Sequence, residues 1–178
     1  MSKKMSTKQL IYCAMAIALA FLTSNIKLFE MPMGGSVTLC SMLFIVLIGY
    51  WFGIGYGLIT GLALGLLNYV IEPYFLSVPQ VILDYFLAFA ALGVSGLFRK
   101  GKYALQIGYV VAIFARFICS ALSGILFFAE YAEGSGMSPL IYTICYNGSY
   151  IGVEGIITLI VISIPAVTNA LNKVKREI

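Results

Sequence analysis

Histidine is missing from all 178 residues, and that one absence removes Ser-His and Cys-His nucleophilic catalysis, most zinc chemistry and an imidazole pH switch. Charge is scarce too. Only 10% of the residues are Asp, Glu, Lys or Arg, while 61% are hydrophobic and the mean hydropathy is +1.00. No ordinary soluble domain has that composition, and no polar stretch is long enough for a soluble catalytic domain. The four cysteines, Cys13, Cys40, Cys119 and Cys145, include no C-x-x-C pair, and each sits inside an apolar segment. They read as small packing residues rather than as a disulfide framework or metal ligands.

What is present is a series of apolar runs. A spanning helix needs about 20 mostly apolar residues, so the chain reads as an all-α membrane protein. One domain over 1–178 is expected, with six transmembrane helices in one bundle. The runs cover about Leu10 to Ile26, Val37 to Tyr50, Phe52 to Ile71, Ser77 to Phe98, Ala104 to Phe128, and Pro139 to Asn169. Ser77 with Pro79, and Ser138 with Pro139, are helix-start pairs of cap and early proline. The first run follows Lys3, Lys4 and Lys8 like a signal peptide, but it lacks a small-x-small cleavage site and reads as a retained helix.

The net charge of +4 does not point to nucleic acid, because the basic residues sit at predicted helix ends. Lys3, Lys4, Lys8, Arg99, Lys100, Lys102, Lys173, Lys175 and Arg176, nine of the eleven, fall on one side of a six-span bundle. The excess of Lys and Arg marks that side as the cytoplasm. Both termini are therefore expected there, in a multi-pass protein of a bacterial-type cell membrane with membrane lipids around it. Glu30, Glu72, Glu130 and Glu133 fall in the opposite, external loops and would favour a cationic ligand weakly. Glycine recurs every fourth residue at Gly53, Gly57, Gly61 and Gly65, a ridge that reads as close helix packing. Gly96 to Lys102 mimics most of a Walker A loop, but Tyr103 stands where Ser or Thr is needed and no strand precedes it.

Three ionisable residues lie deep in predicted spans: Asp84, Arg116 and Glu154. Burial in lipid is costly, so each marks either a functional site or a structural ion pair. By helical rise, Asp84 lies about 10 Å inside the external end of its span, and Ser120 and Asn147 lie about 12 Å inside theirs. Three polar residues on three helices thus share one level. Arg116, four residues from Ser120, continues inward on the same face. Tyr85, Phe128, Tyr142, Tyr146 and Tyr150 crowd this level. A carboxylate, hydrogen-bonding groups and aromatic faces together suit a flat cationic heteroaromatic ligand. An intramembrane enzyme using Asp84 and Glu154 as an acid pair, and a structural subunit in which the three charges pair, are the competing readings.

The chain resembles a known family over nearly its whole length. Val78-Pro79-Gln80-Val81-Ile82-Leu83-Asp84-Tyr85, Met31-Pro32-Met33-Gly34-Gly35-Ser36-Val37, Arg116-Phe117 followed by Ser123-Gly124-Ile125-Leu126-Phe127-Phe128, and Tyr142-Thr143-Ile144-Cys145-Tyr146-Asn147 carry the resemblance. They are similar to the thiamine-specific S-components of energy-coupling factor (ECF) transporters. The resemblance implies a non-enzymatic binding subunit for thiamine that joins a transmembrane coupling protein and two ATPases. ATP is then hydrolysed by those partners, and the chain itself needs no cofactor or metal. By the same resemblance Asp84 faces the cationic ligand, Tyr85 and Asn147 make polar contacts, and Tyr142 and Phe128 sandwich the rings. Arg116 lies near the hydroxyethyl end, and Ala14 and Ala18 form the docking face for the module. Gly34, Gly35 and Ser36 are expected to act as a lid, and Tyr146 as a further aromatic wall. Ser120 stands where relatives often have histidine, and Asp84 where some have glutamate. These departures bear on preference among thiamine, its phosphates and its pyrimidine precursor, and another vitamin is the alternative ligand.

Overall fold

Helix α1 (Thr7–Ser24) begins where Ser6 accepts a hydrogen bond from the Gln9 amide and the Gln9 side chain accepts one from the Ser6 amide. That reciprocal cap satisfies two amide groups that a helix start leaves unpaired. The structure, a computed structural model, describes residues 5–178. Lys3 and Lys4, counted above with the amino-terminal charge, lie outside the described residues.

The segment after α1, expected as an external loop, pairs with itself as antiparallel strands β1 (Lys27–Glu30) and β2 (Ser36–Thr38). Met31 N donates to Gly35 O at 2.9 Å across the turn, where Gly34 and Gly35 take φ of +94° and +80°. Only glycine enters that region without steric cost. Helix α2 (Ser41–Phe52) follows. Eight of its twelve residues are buried, so it is a core helix, apolar on every side. Its length of about 18 Å falls short of the roughly 30 Å hydrocarbon core.

Among the described residues, five helices are long and apolar enough to cross a membrane: α1, α3 (Ile54–Ile71), α4 (Val78–Leu97), α5 (Ala104–Phe127) and α6 (Pro139–Ser163). The bundle thus has five long helices around the short, buried α2. The glycine ridge of α3 packs on α4, as expected from its spacing. A Cβ at Gly61 would collide with the carbonyl of Phe89, and one at Gly65 with the carbonyl of Tyr85. Ser77 and Ser138 cap α4 and α6 through the amides of Gln80 and Ile141.

The sixth run differs from its expected extent. It breaks at Ile164, whose ψ of 124° is extended, and a separate amphipathic helix α7 (Pro165–Glu177) continues. Pro165 is the cause: it has no amide hydrogen, and its ring pushes the preceding residue out of helical geometry. Helix α7 brings the carboxyl terminus to the start of α1. Lys8 Nζ donates to Glu177 O at 2.7 Å, and Lys175 Nζ to Arg99 O at 2.6 Å. The described basic residues from three parts of the chain therefore gather at one end of the bundle, and the β-hairpin closes the other.

Candidate functional site

Beneath the hairpin lies a cavity of about 490 Å³. Helix α4 supplies Asp84, α5 supplies Arg116, Ser120 and Gly124, and α6 supplies Tyr142, Thr143, Tyr146, Asn147 and Tyr150. Met33 and Gly34 close it from the hairpin, while Tyr74, Phe128 and Tyr131 line it from the loops. The shared level of Asp84, Ser120 and Asn147 inferred from helical rise is thus a shared cavity.

Asp84 points inward because α4 widens into a π-helical turn over Ile82–Leu87. Such wide turns re-aim side chains and recur at functional sites. Gln80, 1% exposed, donates from Nε2 to Asp84 Oδ2 at 2.8 Å, and its Oε1 accepts from Leu76 N at 3.2 Å. The carboxylate is held in place by a neutral donor, and its charge is not cancelled. Tyr85, the next residue around the helix, faces away from the cavity. Its hydroxyl donates to Glu72 O at 3.0 Å and accepts from Tyr74 N at 3.1 Å, and its ring meets Tyr69 edge-on at 5.2 Å. Tyr85 therefore anchors the loop that carries Tyr74.

Two aromatic groups line the cavity. On α6, Tyr142 and Tyr146 stack at 6.2 Å and 14°, and Tyr150 meets Tyr146 edge-on at 5.7 Å. From the loops, Phe128 stacks on Tyr74 at 5.8 Å, and the hydroxyls of Tyr74 and Tyr131 lie 3.2 Å apart. The hairpin rests on the first group. A Cβ on Gly34 would lie 3.2 Å from Tyr146 Cε2, and one on Gly35 would lie 2.6 Å from Tyr150 Cδ1. Asn147 is engaged within the protein: Nδ2 donates to Thr143 O at 3.2 Å and to Ser120 O at 3.5 Å, and Oδ1 accepts from the Tyr150 hydroxyl at 3.0 Å.

The other two deep charges are disposed differently. Glu154 takes four hydrogen bonds: Oε2 accepts from Thr38 N (3.1 Å) and Thr38 Oγ1 (2.5 Å), Oε1 from Ser41 Oγ (2.9 Å) and Met42 N (3.3 Å). It caps the start of α2 and ties the hairpin base to α6, where the helix dipole favours a carboxylate. Arg116 lies over the Phe89 ring, 4.4 Å from its centroid, with a buried Nε that has no partner among the described residues. Arg116 also lines a cavity of about 100 Å³ behind the site, together with Ser36 and Glu154. Among the described residues the ion pairs are Lys27–Glu30 and Lys173–Glu177, so Asp84, Arg116 and Glu154 do not pair with one another. The structural-subunit reading loses its basis, and Asp84 and Glu154 open onto separate cavities.

Six lining residues were not among the expected ligand contacts: Met33, Tyr74, Gly124, Tyr131, Thr143 and Tyr150. Gly124 lies four residues beyond Ser120 and Tyr150 four beyond Tyr146, so helical spacing carried a signal for both. Met33, Tyr74 and Tyr131 lie outside the spans, where no period applies. Ala14 and Ala18 are exposed on α1, whereas Ala16 and Ala20 are buried in the bundle.

The helical bundle thus encloses, under a hairpin, an aromatic cavity with a carboxylate that no described cation pairs with. The chain belongs to the thiamine transporter protein family (Thia_YuaJ), whose family model matches residues 10–173. It is 37% identical over 147 residues to the thiamine transporter ThiT of Bacillus subtilis (strain 168), covering 75% of this chain and 76% of that protein. A solved structure of ThiT from Listeria monocytogenes matches with a TM-score of 0.71 at 24% identity, over 89% of this chain and 94% of that one. That likeness shows the fold.

Proposed function

We propose that this chain is the thiamine-capturing S-component of an ECF-type uptake transporter. The observation that carries the reading is Asp84, a carboxylate with no cationic partner among the described residues, in a cavity lined by aromatic side chains, in a chain of the thiamine transporter family. The cavity's size, about 490 Å³, lies within the range of about 300–1,000 Å³ typical of small-molecule sites. Asp84 supplies the counter-charge to the thiazolium, Tyr142, Tyr146 and Phe128 stack on the rings, and Arg116 and Ser120 receive the hydroxyethyl end. Asn147 and Tyr85 position their neighbours, and the hairpin around Gly34, Gly35 and Ser36 opens to admit the ligand. Ala14 and Ala18 present a smooth face to the coupling protein, whose two ATPases hydrolyse ATP. The Lys and Arg bias puts both termini in the cytoplasm of a bacterial-type cell.

Isothermal titration of the detergent-purified chain tests the ligand: saturable binding of one thiamine per chain is expected. Absence of saturable binding, or equal affinity for the isolated pyrimidine moiety, would overturn it. Uptake of labelled thiamine in cells tests the coupling. Transport that persists when the ATPases are inactivated would sink the ECF assignment.

A further inference from the structure

At the end of the bundle remote from the cavity, a cleft of about 550 Å³ opens between α7 and the loop before α5. Lys102, Lys175 and Arg176 line it, and no described acidic residue does. Lys175 Nζ donates to the backbone carbonyl of Arg99, whose guanidinium is held close by on the carbonyls of Tyr50 and Trp51. Tyr103, Gln106 and Ser163 carry the cleft onto the outer surface, where they also border an apolar trough of about 440 Å³ between α5 and α6. Val110 and Leu159 continue that trough into a second of about 400 Å³, which reaches Phe117 and Gly148. From Tyr103 to Phe117 the path follows about 21 Å of helix. One leaflet of a bilayer core is about 15 Å thick.

Helix packing fills the trough only in part: a Cβ at Gly155 would lie 3.3 Å from Ile113 Cγ2, but one at Gly152 would meet nothing within 4 Å, and one at Gly148 only the Phe117 ring at 3.7 Å. Gly124, further along the same pair of helices, is different, since its Cβ would collide with Thr143. Small residues thus close the α5–α6 contact at one end and leave a channel at the other. At the junction of cleft and trough, Gln106 Nε2 donates to Ile162 O at 3.2 Å, and its Oε1 is buried without a partner. The Gln106 amide thus ties α5 to the end of α6 where cleft and trough meet.

We propose that cleft and trough together bind one anionic phospholipid. Its phosphate lies against Lys102, Lys175 and Arg176, and an acyl chain follows the trough past Gly152 and Gly148. Basic pockets at the end of a transmembrane bundle recognise such headgroups through charge. The apolar trough distinguishes a lipid from a free phosphate, which would need only the basic cleft.

The test is native mass spectrometry of the full chain, titrated with dioleoyl phosphatidylglycerol and, in parallel, with dioleoyl phosphatidylcholine. One tightly held phosphatidylglycerol is expected, with at least about tenfold weaker binding of phosphatidylcholine. The combined Lys102→Gln, Lys175→Gln, Arg176→Gln variant should lose at least about tenfold in phosphatidylglycerol affinity on the same scale of basic contacts. Gly152→Leu, which fills open space, should lose the lipid while keeping thiamine binding. Lys102→Gln alone, on an exposed side chain, serves should the triple variant not fold. Equal binding of the two lipids overturns the proposal. So does inorganic phosphate that binds the cleft while Gly152→Leu leaves lipid binding unchanged, which would make this an anion site only. A Gly152→Leu variant that binds lipid normally but no longer assembles with the coupling protein would assign the trough to protein docking instead.

Discussion

Asp84→Asn isolates the charge on which the ligand assignment depends. The substitution keeps the shape, and the amide oxygen of asparagine can still accept from Gln80 Nε2, which now reaches Asp84 Oδ2 at 2.8 Å. The neutral side chain is also cheaper to bury than a carboxylate, so the fold and the π-helical turn should survive. What is lost is the charged interaction with the thiazolium, and no other described carboxylate lines the cavity to replace it. Hydrogen bonds to charged groups are worth about 1.5–3 kcal/mol, so affinity should fall by roughly 10- to 150-fold. A neutral analogue, with carbon in place of the thiazolium nitrogen, should bind the wild type more weakly than thiamine and lose less from the substitution. Isothermal titration of both ligands against both proteins closes the cycle. Equal losses for the charged and neutral ligands would show that Asp84 acts on the pyrimidine or on the fold, and the counter-charge role would be refuted.

Ala14→Leu and Ala18→Leu place bulk on an exposed face of α1 that touches no cavity residue, so thiamine binding should persist while uptake with the ATPase module is abolished; loss of affinity with assembly intact would remove the docking role. Gly35→Ala puts a Cβ at φ +80° and 2.6 Å from Tyr150, and a left-handed L-residue costs about 1–2 kcal/mol. Stopped-flow binding should therefore show thiamine leaving about 5- to 30-fold faster, and an unchanged off-rate would mean that the hairpin does not hold the ligand. Burial, and then the charge of Arg99, lower the Lys175 ammonium from its ordinary value near 10.5 to about 8. Between those two values the folded chain binds fewer protons than the unfolded one, so this group's contribution to stability rises with pH across that window and is least favourable below it. Carbon-13 NMR of the reductively methylated protein should show one lysine titrating near 8; all lysines titrating above 10 would contradict the buried placement.

Much of the bundle is legible because lipid imposes strong patterns. Helices α4 and α6 start at the cap and breaker residues Ser77, Ser138 and Pro139, α3 carries the glycine period of Gly57, Gly61 and Gly65, and the ends of α3, α4 and α5 fall within two residues of expectation. The β-hairpin is not legible, since strands of four and three residues are too short for a period of two to register. Neither is the end of α6, because the apolar pattern runs on past Ile164 and only Pro165 marks the break. Within the site, helical spacing found the level at which Asp84, Ser120 and Asn147 meet. It could not tell that the turn at Ile82–Leu87 is π-helical, and so could not tell which of Asp84 and Tyr85 faces inward.

Three ionisable residues inside the bundle meet three different fates, and the contrast assigns their roles better than depth does. Glu154 is 4% exposed yet holds four hydrogen bonds at the start of α2, so its charge is fully compensated by the protein. It fastens the hairpin base to α6 and has no lone pair to spare for a ligand. Arg116 is compensated in part: the Phe89 ring takes one face of the guanidinium, and Nε remains unpartnered between two cavities. Asp84 has a single hydrogen bond from a neutral amide, and it opens onto the cavity. A charge left uncompensated at membrane depth costs free energy that a cationic ligand relieves on binding. A fully compensated charge offers a ligand nothing. The order of compensation, Glu154 before Arg116 before Asp84, is therefore the reverse order of what each can contribute to affinity. Under the proposed function, the same order gives the recognition to Asp84, the less buried of the two acids, and the architecture to Glu154.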